Sequence, residues 1–120
     1  MSKVLIVDDE VEVVDFLCHF LKRFSISSER VTNGKQALEV FNTMKPDWVF
    51  LDIKMPDMDG FEVLRKLKEI DSKVRVIMIT GKEDGDSQNE AKRLGALDYI
   101  VKPLDLEELH QKIEAYILKK

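Results

Sequence analysis

Trp48-Val49-Phe50-Leu51-Asp52-Ile53-Lys54-Met55-Pro56 is the stretch on which the reading of this chain turns. The apolar run suits a buried strand, and Asp52 then stands at that strand's C-terminal mouth. Open α/β sheets bind ligands at that edge. Three more apolar runs end in polar residues: Val4-Leu5-Ile6-Val7 in Asp8-Asp9-Glu10, Val76-Ile77-Met78-Ile79 in Thr80-Gly81, and Tyr99-Ile100-Val101 in Lys102-Pro103. As parallel strands they would bring four strand ends to one site. Carboxylates, a hydroxyl and an ammonium gathered there have the chemistry to hold a divalent metal and a phosphoryl group. Carboxylate oxygens suit Mg²⁺, an Asp can act as covalent nucleophile, and Lys and Thr can hydrogen-bond phosphoryl charge.

With these residues in order, the chain resembles the receiver domain of two-component response regulators. Asp8-Asp9, Asp52, Thr80 and Lys102-Pro103 stand at the family's spacing, and the resemblance covers essentially all 120 residues, so one receiver domain over 1–120 is expected. Short apolar runs alternate with segments of helical period, the pattern of a parallel sheet with crossover helices. Helices are predicted over Val11–Phe24, Lys35–Met44, Gly60–Ile70, Ser87–Leu94 and Leu106–Leu118, with Glu29-Arg30-Val31 as a weaker edge strand. The last helix is read with Leu106, Leu109, Ile113, Tyr116 and Ile117 on its core face and Asp105 as N-cap. The expected fold is a three-layer α/β/α, flavodoxin-like (βα)5 with a five-stranded parallel sheet. Its order, 2-1-3-4-5, is taken over from flavodoxin and the chemotaxis receiver.

Composition narrows the function. With 44% apolar residues the chain can build a real core as one domain. A formal net charge of −4 provides no basic field for nucleic acid. The single cysteine, Cys18, excludes an internal disulfide and fits a reducing cytoplasm. No apolar run approaches membrane-spanning length and no signal-like N-terminus is present, so a soluble cytoplasmic protein is expected.

The resemblance implies roles residue by residue. Mg²⁺, or Mn²⁺, would be held by Asp9, Asp52 and the backbone carbonyl of Lys54, with Asp8 acting through water. Asp52 would be the nucleophile that takes a phosphoryl group from the phosphohistidine of a sensor histidine kinase or histidine phosphotransfer protein. Lys102, before a cis Pro103, would bridge Asp52 and a phosphoryl oxygen. Thr80 would donate its hydroxyl after transfer, together with the backbone N–H groups of Ile53 and Gly81. Tyr99 matches the switch aromatic that turns inward with Thr80 and repacks the surface offered to a downstream protein target. Lys54 and Lys82 flank the approach of hydrolytic water and predict a long-lived phosphate. Gly81 predicts a mobile Lys82–Asp86 loop.

Other polar residues read as structural. Glu10 is expected mainly to cap helix 1, Asp57 and Asp59 to cap helix 3, and Gly60 to serve backbone geometry. His19 and His110 are expected to be exposed, and Cys18 to pack in the core. Helix 1 carries an apolar arc of roughly 220°, wider than packing on a sheet face requires. Phe16 and Phe20, with Pro103 nearby, are therefore expected to dock the phosphodonor, as this helix does in the receiver family.

A stand-alone receiver, similar to the single-domain sporulation relay receivers, is preferred over the N-terminal part of a longer, DNA-binding regulator. A monomer or a phosphorylation-dependent dimer is expected. The domain is read as a phosphoacceptor and not an enzyme on other substrates. Its rivals are an unphosphorylated pseudo-receiver and an aspartyl phosphatase of the haloacid dehalogenase type. The latter needs an Asp two positions beyond the nucleophile, where this chain has Lys54.

Overall fold

The computed structural model describes residues 3–81 and 85–118. Lys82 and most of the loop expected to be mobile lie outside them. Strands β1 (Lys3–Val7), β2 (Ser27–Val31), β3 (Trp48–Asp52), β4 (Arg75–Thr80) and β5 (Asp98–Val101) form one sheet in the order β2-β1-β3-β4-β5. All four pairings are parallel. Helices α1 (Val11–Lys22), α2 (Gly34–Met44), α3 (Gly60–Ile70), α4 (Gly85–Arg93) and α5 (Leu106–Lys112) link and follow the strands.

The period of two along each strand divides the core into two layers. Val4, Ile6, Trp48, Phe50, Ile77, Ile79 and Ile100 face α1 and α5, meeting Leu17, Leu21, Leu109 and Ile113. Leu5, Val7, Val49, Leu51, Val76 and Met78 face the other way, onto Ala37 and Phe41 of α2, Val63 and Leu67 of α3, and Ala91 of α4. Each fully buried aliphatic side chain contributes about 1.5–3 kcal/mol. The three-layer architecture and strand order match the sequence reading.

Several boundaries differ, each for a local reason. Helix α1 ends at Lys22, not Phe24, because Ser25 takes φ 61° and Ile26 N–H returns to the Leu21 carbonyl. Helix α2 begins one residue early behind Asn33, whose side chain accepts the Gln36 N–H, and α4 spans Gly85–Arg93 instead of 87–94. Strand β2 gains Ser27 and Ser28, which pair with Lys3 and Val4 at the sheet edge. After α5 the backbone continues as a π-helical turn over Ile113–Ile117. Leu106 is 53% exposed, contrary to its expected place on the core face, because α5 first meets the sheet a turn later at Leu109. Cys18 is only half-buried, at the margin of the α1 layer, where its sulfur receives the Ser28 hydroxyl at 3.4 Å. Both histidines are exposed, as expected. Among the described residues no helix is long and apolar enough to cross a membrane.

Candidate phosphoryl and metal site

Register places the site. Val7 pairs with Leu51, so Asp8 follows β1 where Asp52 closes β3. Asp52 pairs with Ile79, one residue before Thr80. The Lys102 N–H donates to the Thr80 carbonyl at 2.7 Å, which carries the end of β5 to the same edge. The Lys102-Pro103 bond is cis.

Asp8, Asp9 and Asp52 each bring a carboxylate oxygen within 4.8 Å of the others'. Asp8 and Asp52 are buried at 0% and 3% exposure, and Asp9 is exposed. Lys102 Nζ lies 3.1 Å from Asp8 Oδ2 and 3.6 Å from Asp52 Oδ1. Burial, followed by the charge of Asp8, pushes the Asp52 carboxyl up to about 7, and burial raises Asp8 as well. For Lys102 burial acts downward, but Glu10, Asp8 and Asp52 outweigh it and push the ammonium up to about 12. One lysine therefore faces two buried carboxyls that repel each other. Asp8 Oδ2 has no hydrogen bond among the described residues, only the ion-pair approach of Lys102. An unsatisfied buried oxygen within a cluster of oxygen donors fits a hard divalent cation.

Thr80 is buried at the end of β4, and Tyr99 is half-buried in the α2–α4 layer. Tyr99 pairs with Met78, so by strand alternation its side chain and that of Thr80 emerge on the same face. Lys54 is exposed just past β3. Gly60 packs against Asp52: a Cβ there would meet the Asp52 carbonyl oxygen at 2.2 Å. The backbone geometry expected of Gly60 is this close approach to the end of β3.

Three residues differ from their sequence reading. The side chain of Glu10 does not cap α1; its Oε1 lies 2.5 Å from Lys102 Nζ. Its membership in the acidic run beside a strand end was the available signal. Asp59 does cap α3, but Asp57 reaches across to α2 and accepts the Gly34 and Lys35 N–H groups, both at 3.1 Å. Those bonds hold its carboxyl below the usual range. Of the two phenylalanines expected from the sequence to dock a phosphodonor, Phe16 is 37% exposed, whereas Phe20 is buried at 7% in the α1–α5 layer. Its ring sits between those of Phe16 and Phe24, at centroid distances of 6.1 and 5.3 Å, and Phe24 continues onto His110 of α5 at 5.2 Å. Phe16 and Pro103 together line a cleft of about 580 Å³ beside Lys102.

A doubly wound sheet with three acidic residues, a threonine and a lysine at its C-terminal edge defines a phosphoryl-signalling α/β domain as the class. The chain belongs to the response regulator receiver domain family, whose model matches residues 4–114. It is 37% identical to the sporulation initiation phosphotransferase F of Bacillus subtilis over 97% of this chain and 94% of that protein. It is 36% identical to the regulatory protein AtoC of Escherichia coli, over 92% of this chain but 24% of AtoC. Against the alkaline phosphatase synthesis regulator PhoP of B. subtilis the chain spans 48% of the relative's length. Among solved structures it is similar to a two-component response regulator from Clostridium difficile, with TM-score 0.93 and 28% identity over 99% of this chain and 98% of that one. The chemotaxis protein CheY4 of Vibrio cholerae gives TM-score 0.90 and 27% identity over 98% and 99% of the two chains. The chain is therefore a receiver of two-component signal transduction.

Proposed function

We propose that Asp52 is the phosphoacceptor of a cytoplasmic phosphotransfer pathway, charged by a histidine kinase or histidine phosphotransfer protein. The observation that carries this is Asp52 at the sheet mouth, with Asp8 and Asp9 within 4.8 Å and the Lys102 ammonium at 3.6 Å. In the reaction a carboxylate oxygen of Asp52 attacks the phosphorus of phosphohistidine in line. The O–P bond forms as the N–P bond breaks, and the imidazole leaves with the bonding electron pair. Asp9, Asp52 and the Lys54 carbonyl would hold Mg²⁺ or Mn²⁺, with Asp8 acting through water, and the cation supplies charge neutralisation for the phosphoryl oxygens. Lys102 adds a second positive charge at the reacting centre, and the Thr80 hydroxyl, with the N–H group of Gly81, receives the transferred group; the Ile53 N–H, expected to join them, is instead held by the Ile79 carbonyl at 3.0 Å. Tyr99, on the face of Thr80, carries the change to the α4–β5–α5 surface and so to a downstream protein.

The full-length similarity to a sporulation phosphotransferase supports a relay role for a single receiver domain over 1–120. The domain then catalyses only its own phosphorylation and dephosphorylation and binds no nucleic acid itself. Lys54 in place of an aspartate speaks against the aspartyl phosphatase reading. The test is transfer of labelled phosphoryl from a phosphorylated histidine-bearing domain in Mg²⁺. The label should be stable in acid and released by hydroxylamine, as an acyl phosphate is. Label that resists hydroxylamine would contradict the reading.

A further inference from the structure

Glu10 occupies the N-cap of α1 without a side-chain capping bond. Its carboxylate is the nearest partner of Lys102, at 2.5 Å against 3.1 Å for Asp8 and 3.6 Å for Asp52. The Lys102 side chain is 16% exposed and that of Glu10 60%, so the pair spans the boundary between the buried acids and solvent. Both residues line the cleft that Glu12, Phe16 and Pro103 also border. The ammonium is thus shared between an outer carboxylate and the inner pair, and its shortest contact is to the outer one.

A phosphoryl group on Asp52 changes that balance. It brings about −1.5 to −2 charges and strong acceptor oxygens to the inner side, whereas Glu10 offers one charge that water can solvate. We infer that Glu10 is a positioning residue: it holds Lys102 back from Asp52 at rest and gives it up when a phosphoryl group arrives. Its release leaves Glu10 and Glu12 as two carboxylates at the lip of the cleft, so the charge there follows the state of Asp52. This rests on the phosphoacceptor reading, and it assigns Glu10 work beyond the metal ligands, nucleophile and lysine.

The test compares wild type, Glu10→Gln, Glu10→Asp and Glu12→Gln in initial labelling by acetyl phosphate with Mg²⁺, followed by intact mass. Removing the resting contact should speed labelling about two- to fivefold in Glu10→Gln, the size expected from losing one half-exposed ion pair. Glu10→Asp keeps the charge but is one methylene too short for the contact, and should be as fast as Glu10→Gln. Glu12→Gln removes the same charge from the same cleft and should stay within about twofold of wild type. A second readout is the carboxyl ¹³C signal of Glu10, which on loading with beryllofluoride and Mg²⁺ should move to the position it has in Lys102→Ala. Glu10→Asp labelling like wild type while Glu10→Gln is fast would reduce the effect to net charge and overturn the inference. Equal rates in all four proteins, or an unmoved Glu10 signal, would overturn it too. No labelling of wild type would remove the phosphoacceptor reading and the inference together.

Discussion

Gly60 lies against the backbone of Asp52: a β-carbon on Gly60 would stand 2.2 Å from the Asp52 carbonyl oxygen and 2.8 Å from the Ile53 Cα. The Gly60 N–H also donates to the Ile53 carbonyl at 2.6 Å. The start of α3 is thereby pressed onto the strand end that presents the nucleophile. Gly60→Ala should cost about 2–4 kcal/mol, since neither contact atom can move without shifting β3. Gly81→Ala, with nothing within 4 Å of its β-carbon, should lie within about 0.5 kcal/mol of wild type. Urea unfolding of the two variants checks this, and equal losses would show that the Gly60 contact is not the constraint.

The acid pair should make the cation-free protein less stable as pH rises. Burial, followed by the charge of Asp8, pushes the Asp52 carboxyl up to about 7, above the ordinary carboxyl value of 3.8. The native state therefore holds this proton more tightly. No penalty exists below the unfolded pKa; it grows between about 4 and 7 and is complete above that window. Without divalent cations Asp52→Asn should be more stable than wild type by about 2–4 kcal/mol at pH 8, and equal to it near pH 4. Mg²⁺ should narrow the gap by stabilising only wild type. A gap independent of pH would count against burial and Asp8 as its source.

Asp98, far from this cluster in role, should behave in the opposite sense. Burial favours its protonated form, but Lys112 Nζ at 2.7 Å, the Tyr99 N–H at 2.7 Å and the Tyr116 hydroxyl at 2.8 Å outweigh it and lower its pKa. Its contribution is present above the unfolded pKa and is lost as pH falls through the lowered folded value. Lys112→Met should cost about 1 kcal/mol at pH 7 and progressively less in acid. Chemical unfolding at several pH values measures it; a cost constant down to pH 2–3 would exclude the ion pair as its cause.

Phe16 and Phe20 should separate cleanly, although the sequence assigns them one role. Phe20→Ser empties a buried site at 7% exposure and should cost about 3–5 kcal/mol. Phe16→Ala, at 37% exposure, should cost less than about 1 kcal/mol. If the cleft docks the phosphodonor, Phe16→Ala should slow transfer from a phosphohistidine protein while leaving acetyl phosphate labelling intact. Parallel loss of both reactions would make Phe16 structural.

The contrast between these residues shows what the sequence could carry. Asp8, Asp52, Thr80 and Lys102 were legible because each directly follows or closes an apolar run, and a strand's end fixes a side chain's place once the sheet is parallel. Phe20 was not, because the helical arc shows which residues are apolar but not how far the neighbouring helix reaches; Phe24 packs on it and is itself backed by His110 of α5. Glu10 and Asp57 escaped for a related reason. Their partners lie 92 and 23 residues away in the chain, at Lys102 and Gly34, and local capping was the nearer explanation. The π-helical turn leaves no mark in the apolar spacing of the last helix; Tyr116 within it reaches Asp98.

The most direct test of the account is the location of the phosphoryl group. Protein treated with acetyl phosphate and Mg²⁺, then reduced with borohydride and mapped by mass spectrometry, should carry one modified residue, homoserine at position 52. Asp52→Ala, or wild type in EDTA, should carry none. A homoserine at Asp8 or Asp9 in wild type, or labelling of Asp52→Ala at the wild-type rate, would contradict the assignment of Asp52 as the phosphoacceptor.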